Sequence, residues 1–386
     1  MRIGVFSNTY LPTISGVVRS ISSYKAALEE LGHEVHVFTQ GARGYQDNEP
    51  NIHRYVSVGL GLPNDLPVTF PFSPSIDRLL NDLRLDVIHS QHPILLGNVA
   101  QQKARQLGIP LVYTLHAQYW HYGVYMPVRF LQEPYNRYIT RRVKNYLRGC
   151  DHIIAPSNSM HDLMVEKFQV QKPITVIPTG IDLKAYEQFD RKEMRKKFGW
   201  GNDFIIISTG RLAPEKNWLD LIRVASQIIQ NNSGVRLVLL GDGPQRIALE
   251  RQAAELGITD KLKFVGMVPY DEVASYLVAA DLFAFTSLTE TQGLGTLEAM
   301  AAGLPVAAFN AIGTRDIVVD GENGILTEAN SPTLAHAIER TLKDRDQMEK
   351  LKIGALKTAR QLDIRVLVKD LVEIYKNPMR QSESRG

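Results

Sequence analysis

Two glutamates in an E-x7-E spacing, Glu290 and Glu298, sit in the stretch TSLTETQGLGTLEAMAAGLPVAAF at residues 286–309. Leu297, Met300 and Ala301 recur at helical spacing, and Gly303-Leu304-Pro305 closes that helix ahead of a short apolar strand. One glutamate therefore precedes a helix and the other lies about two turns inside it. Carboxylates at the mouth of such a unit suit a ligand better than a core. Glu298 would accept hydrogen bonds from a ribose diol, as acidic residues do in nucleotide-binding α/β folds. Glu290 would hold hydroxyls of whatever a diphosphate carries. Taken alone, the pair also fits a helix-dipole glutamate beside a solvated one.

Three further signals converge on the same half of the chain. The segment STGRLAPEKN follows a strand and sets Arg211 and Lys216 at the start of the next helix. LGDGP offers Gly241 and Gly243 where a ligand can approach backbone. Beyond Gly293 a helix start presents free N–H groups and the positive end of a dipole to a phosphate. A diphosphate between that helix start and Arg211/Lys216 would have most of its charge offset without a metal. No acidic pair comes with a metal shell, and the histidines show no HExxH spacing, so the expectation is a site with neither metal nor cofactor.

These residues need a scaffold, and the apolar runs supply one. Strands are expected at 2–7, 34–39, 86–90, 111–116, 152–157 and 174–180, then again at 204–211, 236–243, 262–268, 282–287, 305–309 and 324–327. Helical patterns separate them, at 18–32 and 98–108 in the first half and at 215–231, 244–256, 271–279, 293–302 and 332–345 in the second. Apolar strands alternating with helices imply parallel sheets covered on both faces. Two such series predict two doubly wound, Rossmann-like domains of an α/β protein. The expected division is an N-terminal domain at 1–182, a polar linker at 183–202, a C-terminal domain at 203–360, and a final helix in 361–386 returning to the N-terminal domain. Ligands of such sheets bind outside the carboxyl ends of the strands, so two facing domains would form a cleft.

Composition sets the limits. The chain has 386 residues, 44% hydrophobic and 22% charged, which suits a globular protein with ample core. A net charge of +3 gives no general affinity for nucleic acid. Cys150 is the single cysteine, which excludes an intrachain disulfide and fits a reducing compartment. The opening MRIGVFSNTYLP lacks the apolar run of a secretory signal, and no window approaches the ~20 apolar residues that span a bilayer. The expectation is a cytoplasmic protein, with peripheral membrane association as an option.

The ordered motifs ETQGLGTLEAMAAGLPV, GRLAPEKN, LGDGP, FVGMV, VIPTGID and DGENGIL resemble those of family 4 glycosyltransferases, the large retaining group with the GT-B fold. The similarity runs from MRIGVFSNTYLPTISGVVRSI to about residue 375. It implies that Arg211 and Lys216 contact the diphosphate of a nucleotide-sugar donor and that Glu298 holds the ribose. Glu290, with the backbone of Gln292, Gly293 and Leu294, would hold the donor sugar, and Met267 and Val268 would meet the base. Gly16, in LPTISGVV, resembles the family's glycine loop facing the diphosphate from the other domain. His116 matches the histidine near the sugar's 6-hydroxyl. One departure is local: Thr291-Gln292-Gly293 stands where the common form reads E-x-F-G, which bears on the sugar contacts. UDP-glucose is the family's commonest donor and the expected one.

The acceptor is sought in residues 115–149, which mix Tyr119, Trp120, Tyr122, Tyr125, Met126 and Phe130 with Arg129, Arg137, Arg141, Arg142, Lys144 and Arg148 against one acid, Glu133. Such a segment suits an anionic membrane surface. With the TETQGL wording it resembles the diacylglycerol glucosyltransferase branch, which implies a lipid acceptor. The same segment also fits a solvated basic helix with aromatics in the core. A soluble sugar-phosphate acceptor, such as fructose 6-phosphate in a sucrose-phosphate synthase, is the alternative; Arg19, His92, Arg137, Arg141 and Arg142 would then bind its phosphate. Against it, the chain lacks the longer glycine-rich opening of that group. A nucleotide-sugar-binding protein without turnover is the remaining reading.

Overall fold

The computed structural model describes residues 1–13, 15–58, 68–125 and 129–378. Strands β1 (Arg2–Ser7), β2 (Glu34–Gln40) and β3 (Ile52–Tyr55) precede a small antiparallel pair, β4 (Ser57–Val58) and β5 (Val68–Thr69). Then come β6 (Val87–Ser90), β7 (Leu111–Thr114), β8 (His152–Ala155) and β9 (Ile174–Val176). Among the described residues the parallel strands of this half form one sheet in the order β3-β2-β1-β6-β7-β8-β9. The second half supplies β10 (Phe204–Thr209), β11 (Val235–Leu240), β12 (Leu262–Gly266), β13 (Leu282–Phe285), β14 (Val306–Phe309) and β15 (Gly324–Thr327). They also pair in parallel, as β12-β11-β10-β13-β14-β15. Both sheets are doubly wound, and in each the strand order reverses once: between β1 and β6, and between β10 and β13.

Burial on both faces explains the unbroken apolar strands. In β10, Ile205 and Ile207 join a core layer with Leu297 and Met300, whereas Ile206 joins the opposite layer with Trp218 and Ile222. Polar side chains set the helix starts. Ser15 accepts from the Val18 N–H, Ser157 from Met160 and Asn330 from Thr333.

The chain divides into two compact units, Met1–Gly180 with Ile364–Gly386, and Ile181–Asp363. Residues 183–202, read from sequence as a linker, instead belong to the second unit. They form the helices Lys184–Glu187 and Arg191–Phe198, whose Tyr186 and Met194 are buried with Trp200 in its core. Two of their charges are tied down as a linker's would not be: Asp281 takes Arg191 at 2.5 Å and Arg195 at 3.1 Å, and accepts from the Ile205 N–H at 2.8 Å. Arg195 also donates to the Ala279 carbonyl at 2.8 Å.

The helix Ile364–Lys376 belongs to the first unit, where Leu367, Val368, Leu371, Val372 and Tyr375 are buried. Two histidines fasten this C-terminal segment. His89 in β6 bridges the Tyr375 hydroxyl at 2.6 Å and Thr114 Oγ1 at 2.7 Å. His152 in β8 bridges the Pro378 carbonyl at 2.8 Å and Thr175 Oγ1 at 2.9 Å.

Candidate active site

The second unit collects its polar signals at the carboxyl ends of β10, β11 and β13. Glycines let these ends pack backbone to backbone. A Cβ on Gly241, at φ 131°, would lie 2.0 Å from the Gly210 carbonyl oxygen, and one on Gly243 would lie 2.5 Å from that of Leu212. The loops are laced by Gly210 N–H to Leu240 O at 2.9 Å and Leu212 N–H to Asp242 O at 3.0 Å. Gly241 and Gly243 thus serve contact between loops, a role beyond the ligand approach expected of them.

After β10 the chain makes a short turn, Pro214–Lys216, and Asn217 takes a left-handed conformation at φ 55°. Asn217 is tied across the switch point: its carbonyl accepts from Thr286 Oγ1 at 2.9 Å, and Ser287 Oγ donates to the Glu215 carbonyl at 3.1 Å. The loop after β13 is thereby clamped to the loop after β10. Lys216 Nζ meets Glu290 Oε1 at 2.6 Å, with both side chains largely shielded. The Lys216 ammonium also stands 5.8 Å from the Phe285 ring centroid. Arg211 is exposed at the same strand end, and its carbonyl accepts from Trp218 Nε1 at 2.8 Å.

Gly293, at φ 79°, begins the helix Leu294–Ala301 without a side-chain cap. Its first N–H groups are therefore available to an anion. Gln292 and Glu298 are buried, at 4% and 1% exposure, so neither is a solvated surface residue. Behind them Gly313 is obligatory: at φ 79° its Cβ would fall 2.7 Å from the Glu290 carbonyl oxygen. At the end of β12, Gly266 turns at φ 87°, Met267 is 64% exposed, and Val268 packs against the apolar core. Of the two residues expected at the base, only Met267 stands open.

In the first unit Gly16 starts the helix Gly16–Glu30, and nothing lies within 4 Å of where its Cβ would be. Arg19, in the first turn of that helix, is half-buried. His116, just past β7, shares a 2.6 Å hydrogen bond between its Nε2 and Gln91 Oε1. His92, just past β6, accepts from the Asn8 N–H at 3.2 Å through Nδ1. Gln91 and Asn8, like Gly313, were missed from sequence. Their signal was position: each polar residue directly follows an apolar strand.

Burial keeps these imidazoles neutral. It pushes His89 down to about 3 and His92 to about 4; His116 falls to about 3 by burial and by the neighbouring His92 and His89. The unfolded chain, with histidines near 6.5, binds these protons first, so stability is complete above that pH and declines as pH falls toward 4 and 3. Thermal denaturation is expected to give a lower Tm at about pH 5 than at about pH 7.5. An equal or higher Tm at the acid value contradicts this assignment.

The segment expected to meet the acceptor separates into two parts. Tyr119 and Trp120 are buried, at 6% and 3% exposure, and Trp120 packs 4.9 Å from Phe168 with Lys167 over its ring. They are core, not acceptor or membrane surface, because the turn Tyr119–Tyr125 folds back against the helix Gln132–Arg148. Arg137, Arg141 and Arg142 lie on the exposed face of that helix, opposite the buried Ile139, Val143 and Leu147. Phe130 and Tyr138, at 77% and 60% exposure, flank them. Met126 and the side chains of Tyr122, Tyr125 and Arg129 lie outside the described residues. Among the described residues no helix is long and apolar enough to cross a membrane, and no group of three His, Cys, Asp or Glu could hold a metal.

Two Rossmann-like units in one chain are the construction of GT-B glycosyltransferases, and solved members of that class share the fold. An Anabaena protein in complex with UDP-glucose matches with TM-score 0.77 at 22% identity, over 97% of this chain and 99% of that one. A sucrose-phosphate synthase from Thermosynechococcus elongatus matches with TM-score 0.80 at 20% identity, over 98% of each. The Glycosyltransferase Family 4 model matches residues 14–185, and the model of Glycosyl transferases group 1 matches residues 190–358. The chain belongs to family 4 and is a glycosyltransferase. Its relatives include the alpha-monoglucosyldiacylglycerol synthase of Streptococcus pneumoniae, 35% identical over 84% of this chain and 75% of that protein. The enzyme of the same name from Acholeplasma laidlawii is 32% identical over 88% and 87%.

Proposed function

We propose that this glycosyltransferase moves glucose from UDP-glucose to a hydroxyl of a diacylglycerol-type lipid, with retention of anomeric configuration and without a metal. The observation that carries the donor reading is the Lys216–Glu290 pair at the switch point of the second unit, beside an uncapped helix start. Arg211, Lys216 and the first N–H groups of that helix hold the diphosphate; Glu298 takes the ribose and Glu290 the sugar hydroxyls. Gln292, Gly293 and Leu294 present backbone to the sugar, Gly241 and Gly243 shape the neighbouring loop, and Met267 stands beside the base. In the first unit, Gly16 adds helix N–H groups and His116 contacts the sugar.

The bond between the anomeric carbon and the diphosphate oxygen breaks, and the acceptor oxygen forms its bond on the same face. The acceptor proton passes to the departing phosphate, so no carboxylate attacks. The protein supplies placement and charge stabilisation as negative charge grows on the leaving group.

For the acceptor, support comes from the names of the two synthases and from the exposed face carrying Arg137, Arg141, Arg142 and Arg148 with Phe130 and Tyr138. Each basic residue near an anionic surface contributes about 1 kcal/mol. Peripheral membrane association from the cytoplasmic side follows from this reading. The likeness to a sucrose-phosphate synthase favours a second reading, a soluble sugar-phosphate acceptor. Radiolabelled UDP-glucose offered with diacylglycerol vesicles or with a panel of sugar phosphates separates them. Label is expected in the lipid phase; incorporation only into a soluble product overturns the lipid acceptor, and no incorporation at all points to donor binding without turnover.

A further inference from the structure

Each doubly wound sheet has one switch point, and the second unit's is occupied by Lys216 and Glu290. The equivalent position in the first unit lies between β1 and β6, where Asn8 and His92 follow the two strands. The Asn8 side chain fixes the β6 loop from both sides: Oδ1 accepts from the Leu96 N–H at 3.0 Å, and Nδ2 donates to the Ile94 carbonyl at 3.2 Å. The loop is pressed close, since a Cβ on Gly97 would fall 1.8 Å from the His92 carbonyl oxygen. Leu95 pays for this with a left-handed φ of 53°. A costly local arrangement holds His92 in place.

The arrangement also fixes the proton of His92. A backbone amide can only donate, so the Asn8 N–H at 3.2 Å requires a bare Nδ1 on His92. Ser7 Oγ, 3.4 Å away, already donates to the Thr9 carbonyl at 2.7 Å. The neutral ring must then carry its hydrogen on Nε2. No group among the described residues accepts from that nitrogen, and the residue keeps some exposure although most of the ring is enclosed by protein.

We infer that His92 is an acceptor-binding residue, donating its Nε2–H to a hydroxyl oxygen of the acceptor at the switch point of the first unit. It is not a general base, because Nδ1 is engaged and Nε2 is protonated. It also suits a hydroxyl better than a phosphate, because a ring that accepts the Asn8 N–H at Nδ1 is neutral and offers one N–H rather than the charge that would pair with an anion. The chemistry selected is an uncharged, alcohol-bearing acceptor, of which the glycerol end of a diacylglycerol is one. This inference rests on the proposed transfer from UDP-glucose.

The test uses the full chain and three readouts. Nitrogen-15 NMR of labelled histidine is expected to show His92 protonated at Nε2 at neutral pH, with that signal moving on addition of dioleoylglycerol micelles and not of fructose 6-phosphate. His92→Phe is expected to reduce kcat/KM for the acceptor about tenfold, the scale of one hydrogen bond to a ligand, with the Kd for UDP unchanged. His92→Gln, whose amide N–H reaches about as far as Nε2, is expected to restore most of that loss. An Nδ1–H tautomer, a fall in UDP affinity, an unchanged kcat/KM in His92→Phe, or no rescue by Gln overturns the inference, as does a response to fructose 6-phosphate alone. If the wild-type chain transfers no glucose, the proposed function falls, and the NMR arm still decides His92 without turnover.

Discussion

Lys216→Ala is expected to lower turnover about a thousandfold while donor affinity falls less than about tenfold, measured as kcat against the Kd for UDP-glucose. The difference follows from when charge appears. In the proposed mechanism the ground-state diphosphate is shared among Arg211, Lys216 and the start of Leu294–Ala301, which has no side-chain cap. On that mechanism new negative charge grows on the leaving diphosphate as the sugar departs, and a fixed cation beside it acts most strongly then. Removal also takes from the Glu290 carboxylate, only 13% exposed in its side chain, its 2.6 Å ion pair with Lys216. Lys216→Arg is not a neutral exchange, since a planar guanidinium cannot replace a compact ammonium in that geometry. A loss of donor affinity with unchanged turnover sinks this role.

The second large effect is expected from Gly241→Ala. The residue combines a φ of 131° with a Cβ position 2.0 Å from a backbone oxygen, so the substitution meets strain and collision together. Either the β10 and β11 loops separate or the strand end distorts. A stability loss of about 3 kcal/mol is expected, with loss of UDP binding even in the fraction that folds. Calorimetric melting and UDP titration check both. Gly234→Ala is the control: it has open space around its Cβ and no positive φ, and is expected to melt within a few degrees of the parent. A Gly241→Ala protein that melts and binds like the parent shows that the two loops have no fixed contact.

Most of the scaffold was legible because strands buried on both faces read as unbroken apolar runs; Arg2–Ser7 and Gly324–Thr327 have the expected limits. The edge strand Ile52–Tyr55 was not, because IHRY mixes polar and apolar residues and is fully buried only at Tyr55. Residues 183–202 misled for another reason. Their basic run looks solvated until Asp281, remote in sequence, is brought beneath Arg191 and Arg195. Trp120 misled similarly, since sequence does not show that Phe168 and Lys167 enclose it.

The candidate site was legible in its parts and not in its pairing. Each charged residue could be set at a strand end, yet Lys216 meets Glu290 only because β10 lies next to β13 while β11 and β12 lie on its other side. Sheet order, a long-range property, makes the pair. The same applies to His92 and Asn8, whose strands are neighbours across the reversal in the first sheet.

The first unit is built from two stretches of chain, and the helix Ile364–Lys376 is synthesised only after the whole of the second unit. While a ribosome works through Ile181–Asp363, the earlier stretch already holds β1–β9 but lacks Leu371 and Tyr375 to close over His89. The second unit, continuous in sequence, can complete its own core first. The order of maturation is then the reverse of the order of synthesis: the unit begun first is finished last, and a chain interrupted after Asp363 would leave His89 and a strip of aliphatic core open to chaperones and proteases.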